Sequence, residues 1–279
     1  MEALGGRPRV ILKGTFPVPE ILRFLRTEQL THLWIGDDPE LHDLALLRAF
    51  PALTSLTLQN CPAVESLAPL ADVPLTSLSI TGNSGGALPT PPGLDTLGQL
   101  EFLSLYTSLT AEDFTAFPAD APLQRLALGQ PVGADFTLDC WPGLSRVQLR
   151  SLAGGFGERQ WHALSRLTNL ESFSFGLAEG EPALKIPPGL GLPQVKSLGL
   201  LNTGHRSSAE FSGIMRTALP VFPRIEELQL YGMVRRHLDL SPAAGLASLR
   251  KVFLSNLTPA PTYSLPPHIN LTLFPRPRT

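Results

Sequence analysis

Apolar and small polar residues alternate along this chain in short bursts, and the bursts recur. In Leu53–Leu70, LTSLTLQNCPAVESLAPL, leucine stands at 53, 56 and 58 and again at 67 and 70. Ser55, Thr57 and Gln59 fall between or beside them. Alternation with a period of two is the mark of a strand with one buried face. The pattern L-x-x-L-x-L reads LTHLWI from Leu30, LTSLTL from Leu53, LTSLSI from Leu75, LEFLSL from Leu100 and LQRLAL from Leu123. It continues as LSRVQL from Leu144, LESFSF from Leu170, VKSLGL from Val195, IEELQL from Ile225 and LRKVFL from Leu249. INLTLF, from Ile269, is a frayed further copy.

The spacing, roughly 21 to 30 residues, is that of leucine-rich repeats. About 15 residues per repeat are then free to carry the chain back to the start of the next parallel strand. One such unit cannot bury its own leucines; stacked units bury each other's. The expected fold is therefore α/β: a leucine-rich-repeat solenoid, a curved horseshoe. One long parallel sheet lines its concave face. Short helices, 3-10 turns and extended segments form the convex face.

The return segments differ. Residues 39–50, 158–167 and 208–219 have helical periodicity, whereas 82–98 and 177–192 are rich in Gly and Pro and should run extended. Proline precedes several strands, at Pro51, Pro74, Pro122, Pro142, Pro193 and Pro223, where no ladder bond is yet required. Phe50, Trp141 and Phe222 sit beside these and are expected to stack inside the turns. The ninth position of each repeat bends the chain off the strand. It holds Asp38, Cys61, Asn83 and Ser108 early on, then Pro131, Leu152, Ala178, Thr203, Met233 and Leu257. Regular turns are expected early and irregular ones after about residue 130. Cys61 reads as a buried ladder thiol rather than a nucleophile. Residues 1–30 are expected to form an N-terminal cap, with strand RVILK (9–13) and a helix over 18–30, hiding the sheet edge. Residues 31–279 form the solenoid of about ten to eleven repeats.

Composition narrows the function. The 279 residues are 43% hydrophobic, ample for a large core, and the net charge of −2 supplies no basic tract for nucleic acid or membrane surfaces. No run of 18 apolar residues and no secretory signal occur, so a cytoplasmic protein without a membrane span is expected. The two cysteines are far apart, which suits a reducing compartment. GxxxxGK[ST], HExxH and GxSxG are all absent, and the six histidines lack ligand spacing. The glycine-rich run 81–86 follows a strand but precedes no helix start, so it reads as a loop. No catalysis, metal or cofactor is expected.

What remains is a surface. The third, fifth and seventh positions of each repeat face away from the core and are mostly small and polar. Two places depart from this. Phe102, Tyr106, Arg125, Arg146, Gln148 and Arg150 come from three successive repeats. With strands about 4.8 Å apart, they would form one aromatic and arginine patch of the kind that dominates interface hot spots. Tyr231 and Phe253 form a second candidate contact. The competing reading is that these aromatics only extend cross-strand packing.

The run LTSLTLQNCPAVESLAPLADVPLTSLSITGN resembles bacterial repeats of the internalin type, with S-x-x-P-L in the return segment. It resembles still more the C-terminal repeat regions of actinobacterial NACHT proteins, relatives of the NOD-like receptors. Four Lys against eighteen Arg, with 28 Pro, fit a GC-rich genome of that kind. The resemblance implies ligand sensing or autoinhibition in a bacterial NLR-like (STAND) defence protein, without the ATPase, whose Walker motif is missing here. The expected partner is a protein ligand on the concave face, or a neighbouring domain of a longer chain. The alternative is a stand-alone intracellular scaffold or adaptor.

Overall fold

The computed structural model describes residues 9–14, 20, 28–82, 89–107, 110–129, 138–144, 148–155, 160–176, 184–202, 207–232, 238–257 and 265–275. They fall into two compact units, Met1–Gln148 and Leu149–Thr279. Each is a leucine-rich-repeat stack.

The first unit holds β1 (Arg9–Lys13), β2 (His32–Gly36), β3 (Ser55–Gln59), β4 (Ser77–Thr81), β5 (Phe102–Tyr106), α1 (Ala111–Ala116) and β6 (Arg125–Leu128). All neighbouring strands pair in parallel, and the register follows the repeat: His32, Ser55, Ser77, Phe102 and Arg125 are successive partners. β1 adds RVILK to the front of the ladder, with Arg9 opposite His32, as expected of a capping strand. The companion helix expected over 18–30 lies mostly outside the described residues.

Alternation is realised as written. The burial of β3 and β4 switches at each residue, and Leu33, Leu56, Leu78, Leu103 and Leu126 form one inward row. Fully burying one leucine contributes about 1.5–3 kcal/mol, so each row stabilises its unit only when the neighbouring repeats are in place. A second device fixes the spacing. The carbonyl just before β2, β3 and β4 accepts two N–H groups of the next repeat: Thr31 O from Thr54 and Ser55, Thr54 O from Thr76 and Ser77, Thr76 O from Glu101 and Phe102.

The early turns are regular. Asp37 and Asn60 take positive φ (56° and 52°), and Asn60 Nδ2 donates to Asp37 Oδ1 at 3.0 Å. Asp38 is buried and accepts from the Glu40 N–H. Cys61 is buried as a ladder thiol, its Sγ donating to the Ile35 and Gln59 carbonyls. Burial is the main cause that pushes its pKa up to about 11. Asn83 and Ser108 lie outside the described residues. Return segment 39–50, expected as a helix, forms only a 3-10 turn over Ala45–Ala49, with Asp43 accepting from the Ala45 N–H. Segment 82–98 likewise contains a short 3-10 turn, Leu94–Thr96, rather than running wholly extended.

The second unit holds β7 (Ser151–Gly155), α2 (Gln160–Leu164), β8 (Ser172–Gly176), β9 (Ser197–Leu201), α3 (Ser208–Ala218), β10 (Glu227–Tyr231), α4 (Ser241–Ala244), β11 (Lys251–Leu257) and β12 (Asn270–Pro275), again paired in parallel. The frayed last copy is a true repeat, with Asn270 opposite Lys251. α3 matches its expected span because Ser207 and Glu210 close a reciprocal capping box. Of the later ninth positions, Pro131, Ala178, Thr203 and Met233 lie outside the described residues. Asn202 N donates to Tyr231 O at 3.0 Å, as Asn60 N does to Thr81 O at 2.7 Å.

Phe50, Trp141 and Phe222 are buried, as expected. They join separate clusters rather than one stack. Trp141 meets Phe114 and Phe117 in the first unit, and Phe222 meets Trp161 and Phe173 in the second.

Left-handed backbone is costly for a residue with a Cβ, by about 1–2 kcal/mol. Asn60→Ala also loses the bond to Asp37, and should lower unfolding free energy by about 1–2 kcal/mol in urea denaturation. Asn60→Gly, free of the steric cost, should recover at least half of that loss.

Candidate interaction face

Positions that alternate with the buried leucines present one exposed face in each unit. In the first unit it begins with Arg9, Ile11 and Lys13 on β1, then His32, Trp34 and Gly36 on β2. Ser55, Thr57, Ser77 and Ser79 follow as half-buried small hydroxyls, and Ser104, in line with them, is buried. The far side carries Phe102, Tyr106 and Arg125.

There the sequence patch is partly realised. The Arg125 guanidinium lies over the Phe102 ring, 4.8 Å from its centroid, across paired strands. Tyr106, on the same strand as Phe102, is 46% exposed. Arg146 lies outside the described residues. Gln148 and Arg150 require correction. The described strand of this repeat is Ser151–Gly155, with Ser151 opposite Ser172, and residues 148–150 are not part of it. Gln148 and Arg150 are exposed but precede it. Arg150 O accepts from both Glu171 N and Ser172 N, the role played by Thr31 O at the first repeat. Arg150 is therefore the residue before the strand, and Leu152, assigned to the turn, is an inward strand residue.

The cause of the slip is a doubled motif. LSRVQL from Leu144 and LRSLAG from Leu149 both fit, and Leu144 and Leu149 are both buried. The second choice places Gly154 inward, which a leucine pattern disfavours. Its ladder partner Phe175 and the neighbouring Phe173 meet the buried Trp161 of α2 edge-on, at 5.2 and 5.9 Å between centroids. Aromatic bulk from α2 and β8 thus stands next to the layer to which Gly154 brings no side chain.

In the second unit Tyr231 and Phe253 share the exposed face on paired strands, with Phe253 opposite Gln229. Tyr231 is 40% exposed. Its hydroxyl donates to Gln229 Oε1, and Gln229 Nε2 donates to Glu227 Oε1, a relay along one strand. Burial first, and then the Glu227 carboxylate, push the Tyr231 phenol above the ordinary tyrosine range.

Sequence reasoning passed over the near side of the first face. Ile11 is 63% exposed and pairs in register with Trp34. The Trp34 indole lies along β2 over Gly36, where any Cβ would run into the ring. The available signal was the run RVILK itself, whose Ile11 has outward parity. A small cavity of about 230 Å³ opens beside the turns, lined by Cys61, Val64, Ile80 and Pro89–Pro92. Among the described residues, no three His, Cys, Asp or Glu side chains are grouped to hold a metal ion, and no helix is long and apolar enough to cross a membrane.

No family model matches the chain, and no curated protein does. Among solved structures it is similar to an internalin from Listeria monocytogenes, at 18% identity and a TM-score of 0.43, over 80% of this chain and 67% of that one. It is also similar to the TLR13 chain of a TLR13–ssRNA13 complex, at 19% identity and a TM-score of 0.35. That match covers 88% of this chain and 43% of the other.

Two outcomes test this geometry. Phe102→Ala and Arg125→Ala should each cost under about 1 kcal/mol, the worth of an exposed cation–π pair, in thermal or urea unfolding. In a background with Tyr106 and Tyr263 changed to Phe, the remaining tyrosine should titrate above the ordinary range in ultraviolet absorbance. Glu227→Gln should lower that value without restoring it fully, because burial persists.

Proposed function

We propose that the chain is a non-catalytic module that binds a protein through the exposed face of its strands. One observation carries this reading. Beside the small hydroxyls of β3 and β4, Phe102, Tyr106 and Arg125 are large, outward-facing and expendable for the core. Tyr, Phe and Arg are the residue types that anchor interfaces, since each offers area together with a directional contact. Exposed Tyr231 and half-buried Phe253 form a second, lesser contact.

The finer reading is the sensing or autoinhibitory region of a bacterial NLR-like defence protein. It rests on the resemblance of residues 53–83 to repeats of NACHT proteins. In that setting the partner is an invader's protein or a neighbouring ATPase domain. A scaffold or adaptor would use the same face for a resident cellular protein.

The test is affinity capture from bacterial and phage-infected lysates with the parent chain, beside a variant carrying Phe102→Ala, Tyr106→Ala and Arg125→Ala. The variant must first melt within a few degrees of the parent. A partner retained by the parent and lost by the variant is expected. Equal retention by both would remove the face from consideration. A partner present only after infection would favour the sensor over the adaptor.

A further inference from the structure

We infer that the exposed face of the first unit accepts an extended acidic polypeptide segment lying across its strands. The inference rests on the protein-binding reading and names the chemistry of the partner.

Charge is the first reason. Among the described outward positions of β1 to β6, Arg9, Lys13 and Arg125 are cationic and none is acidic. The nearest acids flank the face. Glu101 comes just before β5, and Asp37, just beyond β2, pairs with Lys13 at 3.7 Å. That pair is exposed on both sides, so it holds Lys13 weakly and leaves it open to a competing carboxylate.

Geometry is the second reason. The cations stand at the two ends of the face, each beside aromatic or aliphatic surface. At one end Arg9 and Lys13 flank Ile11, with Trp34 opposite it on β2. At the other, Arg125 covers Phe102 beside Tyr106. Five strand spacings of about 4.8 Å separate β1 from β6, about 24 Å in all. An extended chain covers that width with about seven residues. Between the ends Thr57 and Ser79 offer hydroxyls but no bulk, and Ser104 is buried, so a backbone can lie low over this stretch. The ligand chemistry is therefore carboxylates near both ends, apolar side chains between or beside them, and a flat polar middle.

Gly36 fits this use. A larger residue would lift the Trp34 indole off β2, whereas glycine lets it lie flat as a platform. Trp141 and Trp161, the other tryptophans, are buried, so emission changes on binding to this face report Trp34.

The experiment is a display selection of random peptides, about nine residues long to exceed the width of the face, on the intact chain. Enriched peptides should carry Asp and Glu in excess of the starting library and should alter Trp34 emission. The double reversal Arg9→Glu with Arg125→Glu should weaken an enriched peptide at least tenfold. Arg9→Lys with Arg125→Lys, which keeps the charge, should retain most of the affinity. Both variants must melt like the parent. Enrichment of neutral or basic peptides, no enrichment at all, or indifference to the reversal would overturn the inference. So would a single-stranded oligonucleotide or inorganic polyphosphate that binds more tightly than the enriched peptides, since the face would then be a general polyanion site. Neutral peptides that depend on Phe102 and Tyr106 would remove only the acidic class and leave the protein-binding reading standing.

Discussion

Everything in this molecule depends on one constraint. A five-residue strand buries two inward side chains, and nothing within its own repeat can cover them. Leu56 and Leu58 are fully shielded because Leu33 and Ile35 lie on one side and Leu78 and Ile80 on the other. The parallel register makes this possible. The doubly accepting carbonyl before β2 to β5 and β7 to β10 holds it, because any slip would break two hydrogen bonds and turn inward leucines outward. Stability is thus a property of neighbours and passes from repeat to repeat.

The same constraint leaves the other face of the strands unencumbered. Outward side chains are not needed to close the core, so their identity is open to other uses. Ser, Thr and Gly are the commonest among them, small enough to allow close approach. Against that background Trp34, Phe102, Tyr106 and Tyr231 are departures without a core function. Arg125 over Phe102 is positioned by strand pairing rather than by burial, and it gains directionality from the ring beneath it. The return segments work differently: Phe50, Trp141 and Phe222, each just after a short 3-10 turn, are buried in the core.

Repeat six shows how far a motif can be read. Leu144 and Leu149 both open acceptable strands, five residues apart, and the one realised puts a glycine inward. A pattern counts leucines and is blind to Trp161 arriving from the following helix. The return segments show a related limit. Segment 39–50 has helical periodicity, yet the chain has little room to wind before the next strand and settles for a 3-10 turn. Segment 208–219 lies in a longer repeat, begins with a capping box, and becomes a full helix.

By itself the sequence determined the repeat, the parallel pairing of its strands, the inward rows of leucine, the buried thiol of Cys61 and the outward parity of Phe102, Tyr106, Arg125, Tyr231 and Phe253. These follow from local alternation and a fixed period, which any stretch of one repeat already contains. Tertiary structure decided which of two overlapping motifs became β7, and so removed Gln148 and Arg150 from the strand face. It also laid Trp34 flat over Gly36 and set Arg125 on Phe102. Except for Trp34 and Gly36, which share β2, those outcomes depend on side chains that meet from different repeats, and their contacts exist only once the stack has formed.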